Sequence, residues 1–115
     1  MTRDPRAYLA DVIEASEAIQ AAVATISFDG YCSSRLIRSA VEREFTIIGE
    51  ALKQLSQRNP KLFTSIDQGP EIIGFRNKLT HEYITINNQL VWGVIQSELP
   101  GLLERCQTLL QLVKS

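Results

Sequence analysis

Residues 33–60 read SSRLIRSAVEREFTIIGEALKQLSQRNP, and this stretch decides the fold. Leu36, Ile37, Ala40, Val41, Phe45, Ile48, Ala51, Leu52 and Leu55 recur at three- and four-residue steps, the period of one helix face. Ser33 or Ser34 can cap the start. Asn59-Pro60 stops it, because the residue before a proline is pushed out of the helical region. The spacing predicts a helix of about 24 residues, twice the usual ~12. Gly49 sits inside it, where glycine costs up to ~1 kcal/mol, so close packing by another helix is expected there.

The same period runs outward in both directions. Tyr8, Leu9, Val12, Ile13, Ser16, Ile19, Val23 and Ile26 form the apolar stripe of a first helix, capped by Thr2 or Asp4 and ending at a Phe28-Asp29-Gly30 turn. Residues 60–70 read as a connector that packs down through Leu62, Phe63 and Ile66. A third helix should start near Pro70 or Glu71, carry Ile72, Phe75, Leu79 and Tyr83, and end near Tyr83. A fourth apolar series runs from Leu90 to Val113 after Asn87-Asn88, and Pro100 should kink or break it. Four long amphipathic segments with short connectors read as an all-α, antiparallel bundle of four to five helices.

The chain has 115 residues, which predicts one domain over 1–115. Twelve basic residues against thirteen acidic ones give a net charge of −1, so a broad basic surface is absent and any nucleic-acid contact must be local. Cys32 and Cys106 form no CxxC pair, which excludes a zinc ribbon; both read as buried free thiols. The N-terminus carries no signal-peptide pattern and no apolar run approaches the ~20 residues of a membrane span. A cytoplasmic protein without a membrane partner is the expectation.

His81 is the only histidine, which excludes a multi-histidine metal site; no metal and no cofactor are expected. Arg76, Asn77, His81 and Tyr83 fall within eight residues at the end of the third helix. Asn77 and His81, four apart, share a helix face, whereas Arg76 and His81 point roughly 140° apart on an ideal helix. They converge only if the helix ends between them or a second chain presents its own copy. The set suits phosphoryl transfer without metal: a histidine moves a proton at a ribose 2′-hydroxyl or a leaving oxygen, and a guanidinium grips phosphate at two points. The plain structural reading has His81 at a helix C-terminus and Arg76 paired with Glu71 or Glu50.

Arg76-x-x-x-x-His81-x-Tyr83 resembles the signature of the HepT branch of the HEPN superfamily, small all-helical ribonuclease toxins paired with MNT nucleotidyltransferase antitoxins. Ile47-Ile48-Gly49-Glu50-Ala51, Gly74-Phe75-Arg76-Asn77-Lys78-Leu79-Thr80-His81, and Leu90-Val91-Trp92-Gly93-Val94-Ile95 with Leu99-Pro100 resemble three further family segments, in order. The resemblance spans about residues 6–113. It implies an RNA-cleaving homodimer with two motifs lining one cleft, His81 as acid/base, Arg76 as phosphate stabiliser and Asn77 as an orienting residue. It also implies that the nucleotidyltransferase partner attaches AMP to Tyr83. One departure is Glu44, where relatives often carry asparagine; a carboxylate near the cleft would repel RNA.

Other residues read less sharply. Glu50 suits either a cleft residue bonding Arg76 or His81, or a solvated helix position. Arg35 and Arg38 could meet RNA backbone, but Glu42 and Glu44 nearby favour a solvated face. Lys78 could touch phosphate, although exposed lysines are common. Trp92 reads as core or dimer packing, and Tyr8 and Tyr31 receive no role. A second function stays open: a non-catalytic helical module that binds a nucleotidyltransferase, or nucleotide in a dimer cleft.

Overall fold

The computed structural model describes residues 3–81 and 87–114. They form seven helices: α1 (Pro5–Val23), α2 (Phe28–Ser33), α3 (Arg35–Arg58), α4 (Pro60–Thr64), α5 (Gly69–His81), α6 (Asn88–Ser97) and α7 (Leu99–Lys114). The all-α bundle expected from the sequence is present. α3 is its spine: 24 residues rise roughly 36 Å, most of the 43 Å long axis. α1 packs along one side of α3 and α5 along another, with α7 closing over α1.

The helix boundaries follow side-chain caps. The Asp4 carboxylate accepts from the Arg6 backbone N–H at 2.9 Å, with Pro5 in the first turn. The Ser34 hydroxyl accepts from Ile37 N–H at 3.2 Å and opens α3. Asn59 serves two helices: its N–H donates to the Leu55 carbonyl at 2.8 Å, and its Oδ1 accepts from Leu62 N–H at 3.2 Å. Asn87 Oδ1 accepts from Gln89 N–H at 2.8 Å and starts α6. Each cap satisfies donors or acceptors that a helix end leaves open.

Three expectations need correcting. Phe28-Asp29-Gly30 is no simple turn but the start of α2, because the Ser27 hydroxyl caps it at Gly30 N–H, 3.2 Å away. The 60–70 connector contains α4. The break expected near Pro100 is present: Glu98 ends α6, and Pro100 falls in the first turn of α7, where its missing N–H costs nothing. Leu36, read as part of the α3 stripe, is 81% exposed, and Ala40 is exposed too.

The core gathers Leu9, Val12 and Ile19 of α1, Val41, Phe45, Ile48, Leu52 and Leu55 of α3, and Leu99, Leu102 and Cys106 of α7. Burial pushes the Cys106 thiol up to about 12, whereas Cys32 is only half-buried. Trp92 packs its ring against Tyr31 and Phe28, at centroid distances of 5.6 and 6.0 Å, and so pins α2 to α6. Among the described residues no helix is long and apolar enough to cross a membrane.

Candidate functional site

The site begins where α5 crosses α3. Phe45 and Phe75 meet edge to face, ring centroids 5.0 Å apart and planes at 87°, which fixes the rotation of α5 about its axis. The next residue, Arg76, is thereby pressed onto Gly49. A Cβ at Gly49 would fall well inside van der Waals distance of the Arg76 Cβ and Cγ. Gly49 is therefore the notch that admits the arginine stem, and the close approach expected from a mid-helix glycine is to Arg76 itself.

With its stem clamped, the Arg76 side chain is 18% exposed and its guanidinium is held on two sides. Nη2 pairs with the Glu50 carboxylate, one residue beyond the notch. Nη1 donates to Asn77 Oδ1 at 3.1 Å. Nε is buried with no hydrogen-bond partner among the described residues. A guanidinium carries five N–H donors, so each terminal nitrogen retains a second one. Glu50 is half exposed, and such an ion pair adds about 0–1 kcal/mol to stability; its larger effect is to aim the fork.

Arg76 lines an open groove of about 630 Å³ between the start of α1, α3 and α5. Arg43, Glu50 and Gln54 line it from one face of α3. Arg3, Tyr8 and Asp11 line the α1 side, where Arg3 pairs with Asp11 at 2.8 Å and lies 4.9 Å from the Tyr8 ring centroid. Among the described residues, three arginines thus face two carboxylates, a local positive excess on a chain whose net charge is −1.

The structure brings Arg76, Asn77 and Glu50 together but leaves His81 apart. α5 continues unbroken through His81, so the helix does not end between the two residues. His81 stands exposed in the last turn and does not line the groove. Asn77 meets Arg76. Tyr83, the expected modification site, lies outside the described residues. Arg76 pairs with Glu50, as the plain structural reading also allowed, and not with Glu71.

The remaining candidates fall elsewhere. Arg38 donates to the Cys32 carbonyl and so closes the end of α2. Arg35 is exposed. Lys78 lines a different groove, between α5 and α6. Glu44 turns into a shallow groove with Glu14 and Ala18 between α1 and α3, rather than toward Arg76. Tyr31 is fully buried and its hydroxyl has no partner among the described residues; burial raises its pKa. Among the described residues, no three His, Cys, Asp or Glu side chains gather where they could hold a metal ion. Among the groove residues that sequence reading missed is Arg43. Its flanking Glu42 and Glu44 disguise it as a solvated position, although its seven-residue spacing from Glu50 places both on one face of α3.

Fold and groove define the class: a small all-α domain whose longest helix yields a glycine to the arginine stem of a neighbouring helix. The chain belongs to the HepT-like family, for the family described as "Ribonuclease HepT-like" matches residues 12–109. A protein of Caldanaerobacter subterraneus subsp. tengcongensis named "Putative RNase TTE0752" is 32% identical over 112 residues, covering 97% of this chain and 99% of the relative. A protein of Thermococcus cleftensis named "Probable ribonuclease HepT" is 30% identical over 102 residues, covering 89% of this chain and 92% of the relative. No solved structure matches the chain.

Proposed function

We propose that this chain is a metal-independent endoribonuclease toxin, with a site composed by two copies of the chain. His81 takes the proton from a ribose 2′-hydroxyl, or gives one to the leaving 5′-oxygen. The 2′-oxygen attacks phosphorus, the bond to the 5′-oxygen breaks, and the products carry a 2′,3′-cyclic phosphate and a 5′-hydroxyl. Arg76 stabilises the charge that builds on the phosphate oxygens. The observation that carries this reading is the clamped Arg76, wedged at Gly49 and aimed by Glu50 and Asn77 into an open groove. The separation of His81 from that groove supports a site shared between chains. Family membership supports RNA as the substrate. Control by a nucleotidyltransferase that attaches AMP to Tyr83 follows the same resemblance: bulky anionic phosphates near His81 would repel RNA.

The products test the reading. Chain expressed without any partner, its mass confirmed as unmodified, is incubated with RNA in EDTA. Cyclic-phosphate and 5′-hydroxyl ends are expected, with no cut at a position carrying a 2′-deoxyribose. Ends with 3′-hydroxyl and 5′-phosphate, or activity lost in EDTA, would contradict it. An unmodified chain that cuts nothing would favour the non-catalytic binding module, a reading that the balanced overall charge makes the natural alternative.

A further inference from the structure

The groove extends beyond the residues assigned to the reaction, and its far part has its own cation. Of the three arginines that line it, Arg3 is engaged by Asp11 and Arg76 by Glu50. Both groove carboxylates are thereby neutralised. Arg43 is exposed, and among the described residues no carboxylate pairs with it. Its sequence neighbours do not quench it: Glu44 faces the adjacent groove between α1 and α3, and Glu42 is partly buried, with its carboxyl raised by desolvation. Arg43 lies two helical turns, roughly 10.5 Å, from Glu50 along α3, and Glu50 holds the Arg76 fork.

We infer that Arg43 is a second phosphate contact, a subsite for the backbone flanking the cut. Resting on the ribonuclease reading, this inference names the direction in which the strand leaves the reaction centre: along α3, from Arg76 toward Arg43. The physical case is one of charge placement. A polyanion approaching a chain of net charge −1 meets repulsion or neutrality over most of the surface. In this groove it meets an arginine fork poised for one phosphate and, about two turns away, an arginine with no carboxylate among the described residues to displace. Arg43 touches no reacting atom in this scheme; it binds and positions.

The probe is a fluorescent, 2′-O-methylated RNA oligonucleotide, which cannot be cut, read by anisotropy across a salt series. Arg43→Ala should weaken binding about five- to tenfold at moderate salt and lower the salt slope by about 0.7, the amount for one phosphate contact on a single strand. Arg43→Lys should restore most of the slope, and Arg35→Ala, an exposed arginine outside the groove, should leave both quantities unchanged. In cleavage, Arg43→Ala should raise KM with little change in kcat. Arg43→Ala matching wild type in affinity and slope, or no binding by wild type, overturns the inference. The two readings fail separately. Arg43-dependent binding without cleavage removes the ribonuclease reading and leaves Arg43 as an RNA phosphate contact; cleavage indifferent to Arg43 does the reverse.

Discussion

His81→Ala should lower RNA cleavage by about 10²- to 10⁴-fold, the range of a positioned acid/base, with folding stability unchanged within about 0.5 kcal/mol. The second half follows from placement: His81 is exposed in the last turn of α5 and contributes nothing to the core. Arg76→Ala should cost about 10²- to 10³-fold, as expected for losing one preorganised charge at the phosphate. Its stem fills the Gly49 notch, so some stability goes with it. Arg76→Lys keeps the stem and the charge but not the planar fork; it should hold stability and regain only part of the rate. Urea unfolding beside kcat/KM separates the two effects. Undiminished cleavage in His81→Ala would remove the acid/base role.

Gly49→Ala should behave opposite to ordinary helix chemistry. In an open helix the change gains up to ~1 kcal/mol from propensity. Here the new methyl would collide with the Cβ and Cγ of Arg76, atoms close to the backbone that cannot swing away cheaply. Either α5 shifts off α3 or the arginine leaves its clamp. Overpacking of this kind costs about 1–3 kcal/mol, and cleavage should fall toward the Arg76→Ala level. Gly74→Ala is the internal comparison. Gly74 is also inside a helix, but nothing lies within 4 Å of its would-be Cβ, so stability should hold or rise. Urea midpoints and cleavage rates for the two variants check the pair. Gly49→Ala as stable and active as wild type would mean that the notch does not position Arg76.

How far the sequence carries this account depends on the kind of signal. α3 was legible to within one residue, because Ser33-Ser34, a long apolar stripe and Asn59-Pro60 bracket its two ends. Gly49 was legible as a contact but not as a contact with Arg76, since periodicity says that a face is buried and not against what. α2 was hidden because Asp-Gly is a strong turn signal, and one side-chain cap at Ser27 outweighed it over six residues. Leu36 was misread because it lies in the first turn of α3, where an apolar residue can keep the stripe's period and still stand clear of the neighbouring helices. In the site, Arg76, Asn77 and Glu50 were named from local motifs, and all three meet. Arg43 required the groove to be seen, because its sequence neighbours carry the opposite charge.

The central claim is that Arg76 and His81 act on one phosphate from two different chains. Arg76→Ala and His81→Ala proteins, each inactive alone, are unfolded together, refolded as a mixture and assayed. In a two-fold dimer a mixed pair holds one site with both residues intact and one with neither. Random pairing makes half the dimers mixed, so about a quarter of wild-type activity should return. No recovery, with mixed dimers demonstrated by mass, would place both residues of each working site on a single chain and contradict the account.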